Sequence, residues 1–172
     1  RLALILLERF CDCYDTPAGY KVRMAFFSQP AVDNRLGDFL KTELRNDWDR
    51  FRAAVAFVKR SGTKHISSEL ATFAKSTPVE ITAGIDHFGT SAEGLGDLLS
   101  SVKPNGRVLI LHNRLPFTFH PKVFLFSSSS RALAIVGSGN LTEGGLFTNY
   151  EAGMRLDLDL TDGAHSAIHD EI

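Results

Sequence analysis

Short runs rich in Val, Ile and Phe, closed by Gly, Pro, Ser or Asn, alternate with helical stretches along most of this chain. That alternation restricts the fold more than any other feature. The strand-like runs are residues 22–27, 51–58, 79–83, 107–112, 119–126, 131–136 and 150–158. Between the first two, residues 36–48 place Leu36, Phe39, Leu40, Leu44 and Trp48 at amphipathic helical spacing. Residues 67–75 and 92–102 also read as helices, and 162–172 as a last one. The first two-thirds thus alternates strand and helix, and the end is a hairpin with one further strand. The expected class is α/β, a mixed β-sheet flanked by helices.

At 172 residues the chain fits a single domain spanning 1–172, long enough to bury roughly 70% of its unfolded surface. It has no initiator Met and stops inside a predicted helix, so it reads as a domain excised from a longer protein. Hydrophobic residues make up 44% and charged residues 23%, as in a globular protein that folds in water. The formal charge of −1 provides no global basic field, so any nucleic acid must be held by a local patch or another domain. The apolar run opening the chain is cut by Glu8 and Arg9, too early to span a membrane, and no cleavage-site pattern follows. Cys11 and Cys13 are the only cysteines; one intervening residue is too few for an unstrained disulfide, so two free thiols in the cytoplasm are expected.

The segment 119–151, FHPKVFLFSSSSRALAIVGSGNLTEGGLFTNYE, carries the chemistry. On a strand, His120, Lys122, Phe124 and Phe126 share one side. Pro121 has no N–H to donate and belongs at a strand start or edge. Ser127 to Ser130 is the right length for a hairpin loop, and a regular hairpin sets His120 roughly opposite Gly137, with Asn140 in the loop beside it. Gly137 and Gly139 lack side-chain bulk, so backbone N–H groups there are expected to approach an anion closely. Glu151 falls near the start of the last strand, and local pattern does not decide which face it occupies.

The ordered combination HPK, GSGNLTEGGL and NYE resembles the His-x-Lys and Gly-Ser-x-Asn elements of the phospholipase D superfamily. It is most similar to the branch of metal-independent restriction endonucleases and helicase-associated nuclease-like domains. The resemblance implies a phospholipase D-like fold and a phosphodiesterase that cuts DNA without a cofactor or metal. It makes His120 the nucleophile that forms a covalent phosphohistidine, with a second His protonating the leaving oxygen. Lys122 and Asn140 would hold nonbridging oxygens, with Ser138 as a further phosphate donor. Glu151 would accept a hydrogen bond from the His120 ring. The motif occurs once where two copies are needed, which implies a homodimer with the active site at the subunit interface. One departure stands out: the superfamily's Asp five residues after the Lys is Ser127 here, which points away from lipid chemistry.

Two other readings remain open in the sequence: a phospholipid-directed phosphodiesterase, and a non-catalytic nucleic-acid-binding module of a helicase-like protein. Other candidate features are weaker. His165 and His169 lie one helical turn apart but lack the Glu of a HExxH metal site. The GLG at 94–96 follows no strand and lacks the third glycine of a dinucleotide loop. Arg45, Arg50, Arg52, Lys59, Arg60 and Lys64 make the middle of the chain basic, and Arg107, Arg114 and Arg131 are comparable candidates for a DNA backbone. Asp86 and His87 read as a strand-end loop beside the cleft.

Overall fold

The computed structural model describes residues 10–15, 21–30, 35–112 and 117–172. Eight strands form one mixed sheet: β1 (Phe10–Asp15), β2 (Lys21–Gln29), β3 (Arg50–Val55), β4 (Val79–Gly84), β5 (Gly106–Leu111), β6 (Lys122–Ser127), β7 (Arg131–Gly137) and β8 (Glu151–Asp159). Their order is β1-β2-β8-β7-β6-β3-β4-β5, with β3, β4 and β5 parallel and the other pairs antiparallel. The helices are α1 (Leu36–Glu43), α2 (Arg60–Thr63), α3 (Ser67–Phe73), α4 (Ala92–Ser101) and α5 (Gly163–Glu171). The expected mixed sheet flanked by helices is what forms. The sequence pattern missed β1 and the single turn of α2; the short turn or helix expected over 141–146 forms as a π-helical turn at Gly144–Thr148. Of the features singled out earlier, residues 1–9 and Arg114 lie outside the described residues, and Cys11 and Cys13 fall in β1.

Strand alternation divides the interior. Phe124 and Phe126 of β6 face a core shared with Leu36 and Leu40 of α1, Leu70 and Phe73 of α3, and Leu98 of α4. Leu125, between them, joins Ala132, Ala134 and Leu158 in a smaller cluster on the opposite face, where α5 packs beside β8. Phe51 stacks on Phe126 with ring centroids 4.4 Å apart, which locks β3 against β6. No helix among the described residues is long and apolar enough to cross a membrane.

Two boundaries differ from the sequence pattern for identifiable reasons. The helix predicted over 36–48 ends at Glu43, whose buried carboxylate accepts from Asn46 Nδ2 at 2.9 Å and Trp48 Nε1 at 3.2 Å. Those bonds hold Trp48 in a turn, where it reaches the core without the helix continuing. The strand predicted over 119–126 begins only at Lys122, because Pro121 cannot donate to the ladder. Its carbonyl still accepts from Ala56 N–H at 2.9 Å, which fastens the segment before β6 to the end of β3.

Candidate active site

One rim of the sheet gathers the C-terminal ends of parallel β3, β4 and β5 with the start of β6, the end of β7 and the start of β8. Open α/β sheets place ligands at such strand ends. His120 sits there, exposed, just ahead of β6. Lys122 follows as the first residue of β6, on the same face as Phe124, and only 7% of it is exposed. The β6–β7 hairpin pairs Val123 with Val136, so Lys122 comes opposite Gly137 and His120 lies two positions further out than the regular-hairpin expectation.

The Lys122 ammonium lies 2.6 Å from Nδ1 and 3.0 Å from Nε2 of His120, and donates to the His120 carbonyl at 3.1 Å. Burial pushes the Lys122 amine below the ordinary lysine value, and the nearby Glu151 carboxylate partly opposes that shift. A partly desolvated ammonium has lost some of its water, so it binds an arriving phosphate oxygen more strongly than a surface lysine does.

Asn140 arrives from the loop after β7. Its Oδ1 accepts from Phe57 N–H at 3.1 Å, while Leu141 N–H donates to the Phe57 carbonyl at 3.1 Å and Lys59 N–H to the Leu141 carbonyl at 2.9 Å. This stitching to the segment after β3 fixes the carboxamide, whose Nδ2 has no hydrogen-bond partner among the described residues and remains available as a donor. Phe57 also sets its ring edge-on to His120, centroids 5.9 Å apart. Sequence reading missed Phe57, since nothing in a local pattern shows that its N–H and ring would meet two residues more than sixty positions away.

Glu151 opens β8 and does not bond the His120 ring as expected. Its carboxylate accepts from Ser138 Oγ and, at 3.2 Å, from Asn149 Nδ2. Ser138 Oγ also accepts from Ala152 N–H at 3.1 Å, so this hydroxyl is already committed within the chain. Glu151 acts on the pair through its charge, which falls on Lys122. The glycines differ from expectation too. A side chain on Gly139 would run into the Gly145 carbonyl and Leu36, and one on Gly145 into the Asn140 backbone. Their role is to let the Asn140 loop and the π-helical turn pack backbone to backbone. Buried Gln29 secures that turn from behind, donating to the Gly144 and Gly145 carbonyls, both at 3.1 Å, and accepting from Leu36 N–H at 3.1 Å.

The remaining candidates disperse. Ser127, in place of an Asp, is buried at the other end of β6, roughly 17 Å of strand away from Lys122. Arg107 pairs with Glu80 at that far end, and Arg131 stacks over Trp48 at 4.1 Å. Arg45 pairs with Glu69, and Lys64 with Glu143. His165 is buried with Nδ1 accepting from Asp159 N–H, while His169 Nε2 lies 3.5 Å from the Arg52 guanidinium. Each of these histidines therefore serves packing around α5, and among the described residues no group of three His, Cys, Asp or Glu is arranged to hold a metal ion. Asp86 and His87, by contrast, do reach the rim. Asp86 Oδ2 accepts from Phe119 N–H at 3.3 Å, and His87 Nε2 lies 3.0 Å from Thr118 Oγ1.

The sequence matches no family model and no curated protein. Solved structures do match. NucT from Helicobacter pylori superposes with a TM-score of 0.62 at 16% identity, covering 87% of this chain and 94% of that one. Nuc from Salmonella typhimurium, a phospholipase D family member, gives 0.61 at 14% identity, covering 87% and 91%. The chain has the phospholipase D fold. A phosphatidylserine synthase from Haemophilus influenzae shares this fold over 41% of its own length, at a TM-score of 0.61 and 13% identity. Within the phospholipase D fold, His120, Lys122 and Asn140 occupy a single rim of the sheet.

Proposed function

We propose that this protein is a metal-independent phosphodiesterase that cleaves DNA through a phosphohistidine, at a site completed by a second copy of the chain. The observation that carries the reading is the Lys122 ammonium held against the ring nitrogens of His120, with the Asn140 carboxamide fixed on the same rim. That set supplies a nucleophile, a cation and a neutral donor for one phosphodiester. Similarity in fold to Nuc, and the ordered HPK and GSGN elements, support it.

The unprotonated His120 nitrogen attacks phosphorus and forms a P–N bond. The P–O bond to the leaving group breaks, and the departing oxygen takes a proton from His120 of the second copy. Water then attacks phosphorus and gives its proton to that second imidazole. The P–N bond breaks, returning its electron pair to His120. Lys122 and the Asn140 Nδ2 donor hold the nonbridging oxygens as charge builds on them. Glu151 keeps the Lys122 environment negative enough to favour the ammonium, and orders Ser138 and Asn149 beside it.

Cleavage of an oligodeoxynucleotide in excess EDTA is the test. It is expected for the wild type, together with a ³²P-labelled protein adduct trapped by denaturation in detergent at alkaline pH, where a P–N bond survives, and neither for His120→Ala. Cleavage that needs a divalent cation and survives His120→Ala would overturn the proposal. Headgroup release from phosphatidylcholine vesicles without DNA cleavage would move the substrate to lipid.

A further inference from the structure

The turn at Asp86–Phe88 holds two consecutive non-glycine residues in the left-handed region, His87 at φ 53° and Phe88 at φ 55°. For a residue with a bulky side chain this backbone conformation is strained. No burial among the described residues repays that strain: the Phe88 side chain is 98% exposed. The turn is nonetheless anchored, through Asp86 to Phe119 N–H and His87 to Thr118, in the segment that leads directly into His120. Gly89, next in the chain, packs so closely on the Phe57 ring that no side chain fits between them, and that ring touches His120 edge-on. Phe88 is therefore a rigidly presented, fully exposed aromatic ring on the rim of the candidate site.

We propose that Phe88 is a stacking platform for an unpaired base of a nucleic-acid strand whose phosphate sits at His120. The inference rests on the phosphodiesterase reading and adds to it the feature recognised beyond the phosphate. Stacked bases and backbone-tracking cations are the recurring components of single-strand binding. The cations are present beside the turn: Val58 N–H donates to Thr90 Oγ1 at 3.0 Å and Ser91 N–H to the Val58 carbonyl at 2.8 Å, which brings exposed Lys59 and Arg60 alongside. A paired base inside a duplex has both faces occupied by its neighbours, so the ring selects a base that is out of the stack. A bilayer is the poorer occupant, because Asp86 and His87 set a carboxylate and an imidazole within two residues of Phe88.

Fluorescence anisotropy with a labelled single-stranded oligodeoxynucleotide tests this, using wild type, Phe88→Ala, Phe88→Leu and Phe88→Tyr, each checked for folding by thermal unfolding. Stacking predicts a loss of affinity of about fivefold to tenfold or more for both Phe88→Ala and Phe88→Leu, with Phe88→Tyr close to wild type. The loss should be smaller for a fully paired duplex of the same sequence. Equal single-strand affinity in wild type and Phe88→Ala would overturn the proposal. So would a Phe88→Leu protein that binds like wild type, or Phe88-dependent sedimentation with phosphatidylglycerol vesicles alongside unaltered oligonucleotide binding. The readout is affinity rather than turnover. A failure of cleavage in the EDTA experiment and a failure of base stacking here are thus separate results.

Discussion

The Lys122 ammonium lies 2.6 Å from one ring nitrogen of His120 and 3.0 Å from the other. An ammonium has only donors, so the ring nitrogen it bonds is the unprotonated one, which carries the lone pair a nucleophile needs. In the free chain that lone pair is occupied by Lys122. A bound phosphodiester brings oxygens that take up the Lys122 donors, and its arrival both places phosphorus and frees the nucleophile.

Lys122→Met should therefore lower phosphodiester turnover by roughly 100- to 1000-fold, the usual cost of one preorganised charge-stabilising group. It should also change how stability depends on pH. The folded-state value of Lys122 is lowered by burial, so in the window below the ordinary lysine value the unfolded chain holds more protons than the native one. Wild-type stability should rise relative to Lys122→Met as pH climbs through that window and level off above about 10.4. Urea midpoints of the two proteins between pH 7 and 10.5 check this, and a parallel pair of curves would contradict it.

Asn140 joins two tasks that substitution should separate. Asn140→Ala leaves the Phe57 N–H without its acceptor and should cost roughly 1–2 kcal/mol of stability along with activity. Asn140→Asp retains an acceptor for Phe57 but places negative charge where phosphate oxygens bind. It should lose as much activity with a clearly smaller stability loss, measured by denaturant unfolding and oligonucleotide cleavage.

Gln29 pairs across the strands with Glu151 and holds the turn behind Asn140. Gln29→Leu would orphan the Leu36 N–H and the Gly145 carbonyl, both in or next to the interior, while the Gly144 carbonyl keeps its bond from Asn149 N–H. A loss of roughly 2–4 kcal/mol is expected in urea unfolding. Faster amide exchange should appear at Gly144–Thr148 before it appears in β6.

A shared site predicts that the protein sediments as a dimer. It also predicts that mixing His120→Ala subunits with Lys122→Ala subunits restores little activity, because each mutation damages the same centre. Full activity in a monomeric fraction from analytical ultracentrifugation would contradict this.

Most of the fold was legible in the sequence because period-2 and period-3.6 patterns report which face of an element is apolar. β2 to β8 and four of the helices lie where those patterns placed them, with ends moved by Pro121 and by the Glu43 hydrogen bonds. The site was legible only as residue types in order. His120, Lys122 and Asn140 do share one rim, as the hairpin geometry implied. Glu151 bonds Ser138 and Asn149 instead of His120, since its direction depends on how β8 pairs with β2 and β7. Gly139 and Gly145 serve close packing of two backbones, a relation no single segment encodes.

What the sequence determined by itself was local: strand and helix periodicity, the Ser-loop hairpin, and the spacing that makes Lys122 the inward neighbour of His120. Short-range sterics and alternation of side chains suffice for these. Only the tertiary structure decided that Lys122 is buried and bound to the His120 ring. It also held Asn140 through Phe57, carried Ser127, Arg107 and Arg131 to the far end of the sheet, and left Phe88 exposed on the rim. Those outcomes depend on which strands become neighbours, and pairing across the sheet is settled by burial of the whole core rather than by any one segment.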